Sequence, residues 1–445
     1  MSTPAAPSRN RIAIASFIGT AIEFYDFYIY GTAAALVFGT LFFPSFSATA
    51  GTLAALATFA VGFIARPLGA ILFGHFGDRL GRKRMLITSL LVMGLSTVAI
   101  GLVPSFASIG VAAPVLLAVL RFLQGIGLGG EWGGAVLLAT EYAPPGKRGL
   151  YSAFPQLGPA VGFVLGNALY LVLNATMSAQ AFTAWGWRIP FLASSVLLVV
   201  GYYIRMRIAE TPVFRAALEA QEQARVPFLE LLRRQPGVLV LATLSFVLAF
   251  TMFYTITTFC LSYGTATLKI SRTTMLVEAI IASAVMGAAT LWFAAASDRW
   301  GRRRLCIAAA VVSGLWAFPL FWLMQTRQPF LIGIAMVVGL VCFALLYGPM
   351  GAYFPELFRV RYRYSGAAFA YSAAGIIGGG VSPLIATDLL ARTGSSAGVS
   401  WYLIGVAALC LTCLLFLRET RDADFTDGLG APAQPELSPT RPPSG

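Results

Sequence analysis

The chain has 445 residues, of which 58% are hydrophobic and only 11% charged, and its mean hydropathy is +0.78. A soluble protein of this length carries about 25% charged residues, so the composition excludes a water-soluble enzyme and indicates a polytopic membrane protein. The formal charge of +13 does not indicate a nucleic-acid partner, because the basic residues are dispersed between apolar runs.

In chain order, residues 1–11 form a polar tail that does not read as a cleaved signal sequence. Twelve apolar spans follow, at 12–38, 51–74, 85–103, 113–140, 151–175, 188–208, 237–261, 276–296, 305–325, 330–354, 365–388 and 399–417. The expected fold is all-α, with twelve transmembrane helices as two six-helix bundles over 12–208 and 237–417. Residues 209–236 are the only long polar segment between spans and read as a cytoplasmic linker with a short amphipathic helix. Residues 418–445, rich in Pro, Gly and Asp, read as a cytoplasmic, disordered tail.

An even number of spans places both termini on one side. Most Lys and Arg lie in the tails and after even-numbered spans, and the loops after spans 1, 3 and 5 hold none. Both termini are therefore expected in the cytoplasm. Lys269 and Arg272 after span 7, and Arg327 after span 9, break this pattern. The five cysteines (260, 306, 342, 410 and 413) lie inside apolar stretches without metal-ligand or redox spacing. No metal, cofactor or catalytic site is expected.

Between spans 2 and 3 lies GHFGDRLGRKR, residues 74–84. Its core, Asp78-Arg79-x-Gly81-Arg82-Lys83-Arg84, returns as Asp298-Arg299-x-Gly301-Arg302-Arg303-Arg304 after span 8. Gly149, Gly158 and Gly162 likewise recur as Gly366, Gly375 and Gly379. Two echoes at nearly one offset indicate a tandem duplication. His75, the only histidine, sits at the membrane edge and is read as a bystander.

An ionised side chain at the centre of a span costs roughly 3 kcal/mol or more, so each is a candidate functional residue. The first half has five. Span 1 holds Glu23 and Asp26, whose spacing puts both on one helix face, with Tyr30 a turn beyond Asp26. Span 2 holds Arg66, and span 4 holds Arg121 and Glu131, about 15 Å apart along a continuous helix. In the second half only Glu278 is placed deeply, close to the outer end of span 8. Three acids and two arginines can balance one another while leaving a carboxylate to exchange a proton. Holding helices together is the alternative role for such pairs. Gly125, Gly129 and Gly133 form a small-residue face for helix approach and are not a nucleotide-binding fingerprint.

The long motifs carry a family resemblance. The two six-span halves, the linker and the repeated G-x-x-x-D-R-x-G-R-K/R-R/K resemble the major facilitator superfamily. IEFYDFYIYGTAAALVF, RPLGAILFGHFGDRLGRKRM, LRFLQGIGLGGEWGGAVLL, GWRIPFL, AETPVF and RYSGAAFAYSAAGIIGGG resemble its metabolite:proton symporters. The wording is most similar to shikimate-transporter-like members, whose wider group also carries citrate, 2-oxoglutarate, proline and betaine. Span 7 departs from that pattern because it carries no charge.

The resemblance implies alternating access by two rocking bundles in a bacterial inner membrane. It implies that Asp78 pairs with the facing half near the start of span 11. Arg79 and Arg82 would reach acids such as Glu141 and Glu210, and Asp298, Arg299, Arg302 and Glu419 would repeat this inner gate. Glu23, Asp26, Tyr30, Arg66, Arg121 and Glu131 are the expected substrate and proton-coupling residues. The expected cargo is a small metabolite moved with a proton, and the arginines favour a carboxylate. Membrane lipid is the other partner, and a monomer is the expected functional unit. Gly158-Pro159-x-x-Gly162 resembles a motif of drug:proton antiporters, which keeps proton-coupled export as the alternative.

Overall fold

The structure is a computed structural model. It describes residues 9–80, 82–129, 131–141, 143–144, 146–207, 227–359 and 363–422. Of residues 9–15, 74–80, 82–86, 138, 141, 205, 207, 227–229 and 364 it describes the backbone only. The side chains of Asp78, Arg79, Arg82 and Glu141, all of Glu210, most of the linker and the end of the tail thus lie outside the described residues.

Twelve transmembrane helices form two six-helix bundles, and the described residues contain no strand. With no water in the bilayer core to satisfy the backbone, such long apolar segments must hydrogen-bond internally as helices. Among the described residues ten helices are long and apolar enough to cross a membrane, and Ile87–Leu102 is a shorter apolar helix. Span 1 is Arg9–Ala33, extended by a π-helical turn at Ala34–Phe38 and by Gly39–Phe42. Spans 2 and 3 are Ala48–Leu80 and Arg82–Leu102.

Span 4 is described as Ala112–Leu128 and Glu131–Glu141, and Gly130 between them lies outside the described residues. Spans 5 and 6 are Arg148–Gln156 with Gly158–Thr176, and Ile189–Arg207. In the second half span 7 starts at Pro236 and passes through two π-helical turns, Thr255–Phe259 and Tyr263–Thr267. Spans 8, 9 and 10 are Arg272–Trp300, Arg302–Gln325 and Pro329–Leu357. Span 11 runs from Arg363 to Thr393 around a π-helical segment at Gly375–Gly380, and span 12 is Ala397–Phe416.

Glycine sets the close helix approaches. Span 5 lies on span 1 because Cβ atoms at Gly158 and Gly162 would strike Thr20 and the backbone of Tyr25. Span 4 uses its glycines on two neighbours. Cβ atoms at Gly125 and Gly129 would overlap the backbone of Gly62 and Arg66 in span 2, whereas one at Gly133 would press on Ala368 in span 11. Where lipid offers no hydrophobic drive for helices to associate, this close packing supplies the attraction.

The halves meet along a seam that is held at both ends. At the end bearing the signature loops, here the signature face, Asp298 accepts from the N–H groups of Gly149 (2.9 Å) and Leu150 (3.1 Å). These are unsatisfied donors of the first turn of span 5, and a carboxylate there also meets the positive end of the helix dipole. Gln156 donates across the seam to the carbonyl of Gly348 at 3.0 Å. At the opposite end, the far face, Asn174 donates to Thr273 at 2.8 Å.

Candidate functional site

The buried charges of the first half occupy two levels. The level nearer the far face is built on Arg121, which is fully buried. Its guanidinium lies over the rings of Phe27 (3.9 Å), Tyr30 (4.2 Å) and Phe59 (4.8 Å). Such contacts are worth about 2 kcal/mol each when desolvated. Its Nη1 donates to Gln124, which in turn donates to Thr97 (2.8 Å) and to the backbone carbonyl of Asp26 (3.0 Å). Gly62 makes room for it, since a Cβ there would crowd Nε. Tyr30 is held by donating to Thr58 at 2.7 Å.

Asp26 and Glu23 diverge from here. The Asp26 carboxylate turns into the first bundle and accepts from Ser194 of span 6. Glu23, about 60° around the helix from Asp26 at 3.6 residues per turn, lines the pocket between the halves. The shared-face reading therefore holds only loosely: one acid faces helix neighbours and the other faces the seam.

The second level is that pocket. Glu23, Phe24, Arg66, Leu128, Gly129, Trp132 and Gly133 line it from the first half, and Ala368, Tyr371 and Ser372 from span 11. Its cavity volume is about 10 Å³, room for about one water molecule, so the pocket is nearly closed in this state. Arg66 is 2% exposed, and none of its three guanidinium nitrogens has a hydrogen-bond partner among the described residues. Its faces are covered by Phe27 (4.2 Å) and Phe63 (4.6 Å), so its N–H edges remain for a ligand. Glu131, 3% exposed, stands next to Trp132 in span 4.

Two site residues carried no signal in the sequence. Trp132 stacks on Tyr371 at 3.8 Å and 7°, which joins span 4 to span 11 beside Arg66. Tyr371 also meets Phe246 and Phe250 of span 7. An aromatic in an apolar run cannot be distinguished from ordinary core by periodicity, so only the fold brings this pair together.

The second signature copy is closed by its own clasp. Arg302, 2% exposed, pairs with Asp298 (2.7 Å) and with Glu356 at the end of span 10 (3.4 Å). Glu419 accepts from the backbone N–H groups of Arg302 (2.9 Å) and Arg303 (3.1 Å). Thr420 donates to Glu356 at 2.6 Å. Arg299 is exposed, and its carbonyl accepts from Arg421 at 2.8 Å. Asp298 thus caps span 5 of the facing half. Glu356, missed in the sequence, stands 215 positions after Glu141, near the offset of the signature copies. Glu278 lies outside both levels, with its carboxylate against Gly333 of span 10.

Comparison with known proteins agrees with this architecture. The Major Facilitator Superfamily model matches residues 16–383. An inner membrane metabolite transport protein of Escherichia coli (strain K12) is 46% identical over 419 residues, covering 93% of this chain and 95% of its own. The shikimate transporter of the same strain is 39% identical over 419 residues, with the same coverage of 93% and 95%. Among solved structures, the xylose transporter of E. coli in a partially occluded inward open conformation superposes with a TM-score of 0.72. It is 18% identical, covering 94% of this chain and 99% of that one, which bears on the fold alone.

Proposed function

The chain belongs to the major facilitator superfamily and is a transporter of metabolites, not an enzyme, and from that premise we propose that it carries a small carboxylate-bearing metabolite inward together with a proton. The signature face is the cytoplasmic face of a bacterial inner membrane, with both termini on that side. The observation that carries the reading is Arg66. A buried cation with no hydrogen-bond partner among the described residues, beside an acid in a pocket between two bundles, is a receptor for an anion. Arg66 grips the carboxylate by its N–H edges, and Arg121 supports the aromatic wall behind it. Glu23, Asp26 and Glu131 are the candidate proton carriers.

In this reading Asp298, Arg302, Glu356 and Glu419 stabilise the state closed toward the cytoplasm. Asp78, Arg79, Arg82, Glu141 and Glu210 do the same for the first copy. A clasp that exists in one state only biases the equilibrium between states. The glycines that resemble the antiporter motif pack span 5 onto span 1, so they give export no separate support. The kinship to a metabolite transport protein and the shikimate transporter also favours uptake of a small acid.

The test is uptake of a panel of labelled mono- and dicarboxylates into cells overproducing the protein, with and without a protonophore. At least one acid should accumulate, and the protonophore should abolish its accumulation. Accumulation that persists without a proton gradient would refute coupling, and efflux-dependent resistance with no uptake would favour export.

A further inference from the structure

The charges at the far face are few, and basic residues outnumber acidic ones by five to two. Phe27–Ala65, Ile87–Leu120 and Gly149–Trp187, which contain every far-face loop of the first half, hold no Asp, Glu, Lys or Arg. The only charge on that half's rim is Arg188, whose Nη1 donates to the carbonyls of Gly101 (2.9 Å) and Val103 (2.6 Å). The second half adds Lys269, Arg272 and Arg327, and an Asp388–Arg392 pair at 2.8 Å. The remaining acid, Glu278, sits six residues into span 8 and turns to Gly333 of span 10, away from the first half.

Lys269 and Arg272 stand where the halves meet. Thr273, next to Arg272, accepts the cross-half bond from Asn174. Arg272 itself lies over the ring of Phe182 in the loop between spans 5 and 6, 5.0 Å from its centroid. Lys269 is exposed on the turn leading into span 8. Basic residues on this face run against the charge bias that orients membrane proteins. A role in which positive charge is itself the property required accounts for their position.

We propose that Lys269 and Arg272 form an electrostatic collar at the far-face mouth of the seam, which concentrates small anions, carboxylates among them, before they reach the site. The collar deepens the symport reading and rests on its sidedness, in which the far face is outside. A wet mouth between low-dielectric walls focuses the field of such charges and raises the encounter rate of the opposite sign by about tenfold or more. The Debye length of roughly 8 Å at physiological salt confines the effect to the mouth.

The test needs no knowledge of the cargo. With the five native cysteines replaced, Ala175→Cys places a thiol beside Asn174 at the mouth. Its reaction in intact cells with anionic sulfonatoethyl and cationic trimethylammonioethyl methanethiosulfonate is compared, each corrected for its rate with a free thiol. At low salt the anionic reagent should be favoured about threefold or more. That preference should vanish in 0.5 M salt and in Lys269→Gln/Arg272→Gln, and persist in Lys269→Arg/Arg272→Lys. Ala107→Cys, in the uncharged loop between spans 3 and 4, should show none. Equal preference at both positions, or a preference unchanged by the double glutamine variant, would overturn the collar. A thiol at 175 that neither reagent reaches from outside would overturn the sidedness and the collar with it. Anion preference at the mouth with carboxylate uptake indifferent to salt would support the collar and overturn the anionic cargo instead.

Discussion

The two halves repeat the signature loop and differ in their interior. Toward the seam the first half presents Glu23, Arg66 and Trp132, with Arg121 close behind. The second half presents Phe246, Phe250, Tyr254, Tyr347 and Tyr371, all buried. At the offset of the signature copies the position of Arg66 is taken by Met286, which is 1% exposed. The signature loop stands in both copies, in keeping with the proposal that a seam opening at either end needs a clasp facing each half. The interior was free to diverge. Under the proposed function, a charged receptor set against an aromatic wall lets the wall move over bound cargo without separating ion pairs, each of which costs roughly 3–5 kcal/mol to break when buried.

The largest effect should come from removing the asymmetry itself. Arg66→Gln should lower kcat/KM for uptake by about a hundredfold, since loss of one partner of a buried charge pair costs roughly 2–5 kcal/mol. Met286→Leu, at the matching place in the second half, should stay within about twofold. Comparable losses in both variants, measured as initial uptake rates at equal expression, would show that the halves share the binding task.

The gate offers the opposite expectation, symmetry. Asp298→Asn keeps size but weakens the cap on Gly149 and Leu150, and should slow transport about tenfold by unclasping the signature face. Ligand affinity of the solubilised protein should change only by the shift in populations. A cysteine at Ala153, on the same end of span 5, should react faster with a hydrophilic maleimide. Asp78→Asn should do the same through the first copy. Unchanged labelling with collapsed affinity would move either aspartate from the gate to the cargo site.

The smallest effect concerns Trp132, the first-half aromatic stacked on Tyr371. Trp132→Ala removes the stack on Tyr371 and should cost about fivefold in uptake, in line with roughly 0.5–1.5 kcal/mol for an aromatic pair beyond its buried area. Trp132→Phe should recover most of that loss. A phenylalanine variant as impaired as the alanine variant would assign the role to the indole N–H rather than to stacking.

The sequence displays what repeats and what is expensive. Charge inside an apolar run is costly wherever the run lies, so Arg66, Arg121 and Glu131 stand out before any fold is known. Loops with a fixed charge order display the duplication in the same way. Direction around a helix is harder to read. Glu23 and Asp26 are three residues apart, and only the placement of spans 3 and 6 turns Asp26 toward Thr97 and Ser194. The partners of the span 4 glycines are equally hidden: Gly125 and Gly129 pack on span 2, and Gly133 packs on span 11. Glu356 was legible through its offset from Glu141, but its apolar surroundings draw the eye away. The Trp132–Tyr371 stack joins residues 239 positions apart and leaves no local trace.

The central claim, that a proton travels inward with a carboxylate held by Arg66, is tested most directly by the pH of the medium. De-energised cells overproducing the protein receive a pulse of an acid from the panel that the uptake assay identifies, while a glass electrode follows the outside. The wild-type protein should give a transient alkalinisation that a protonophore dissipates, and Arg66→Gln should give none at equal expression. Confirmed net uptake without any pH change, or alkalinisation undiminished in Arg66→Gln, would contradict the account.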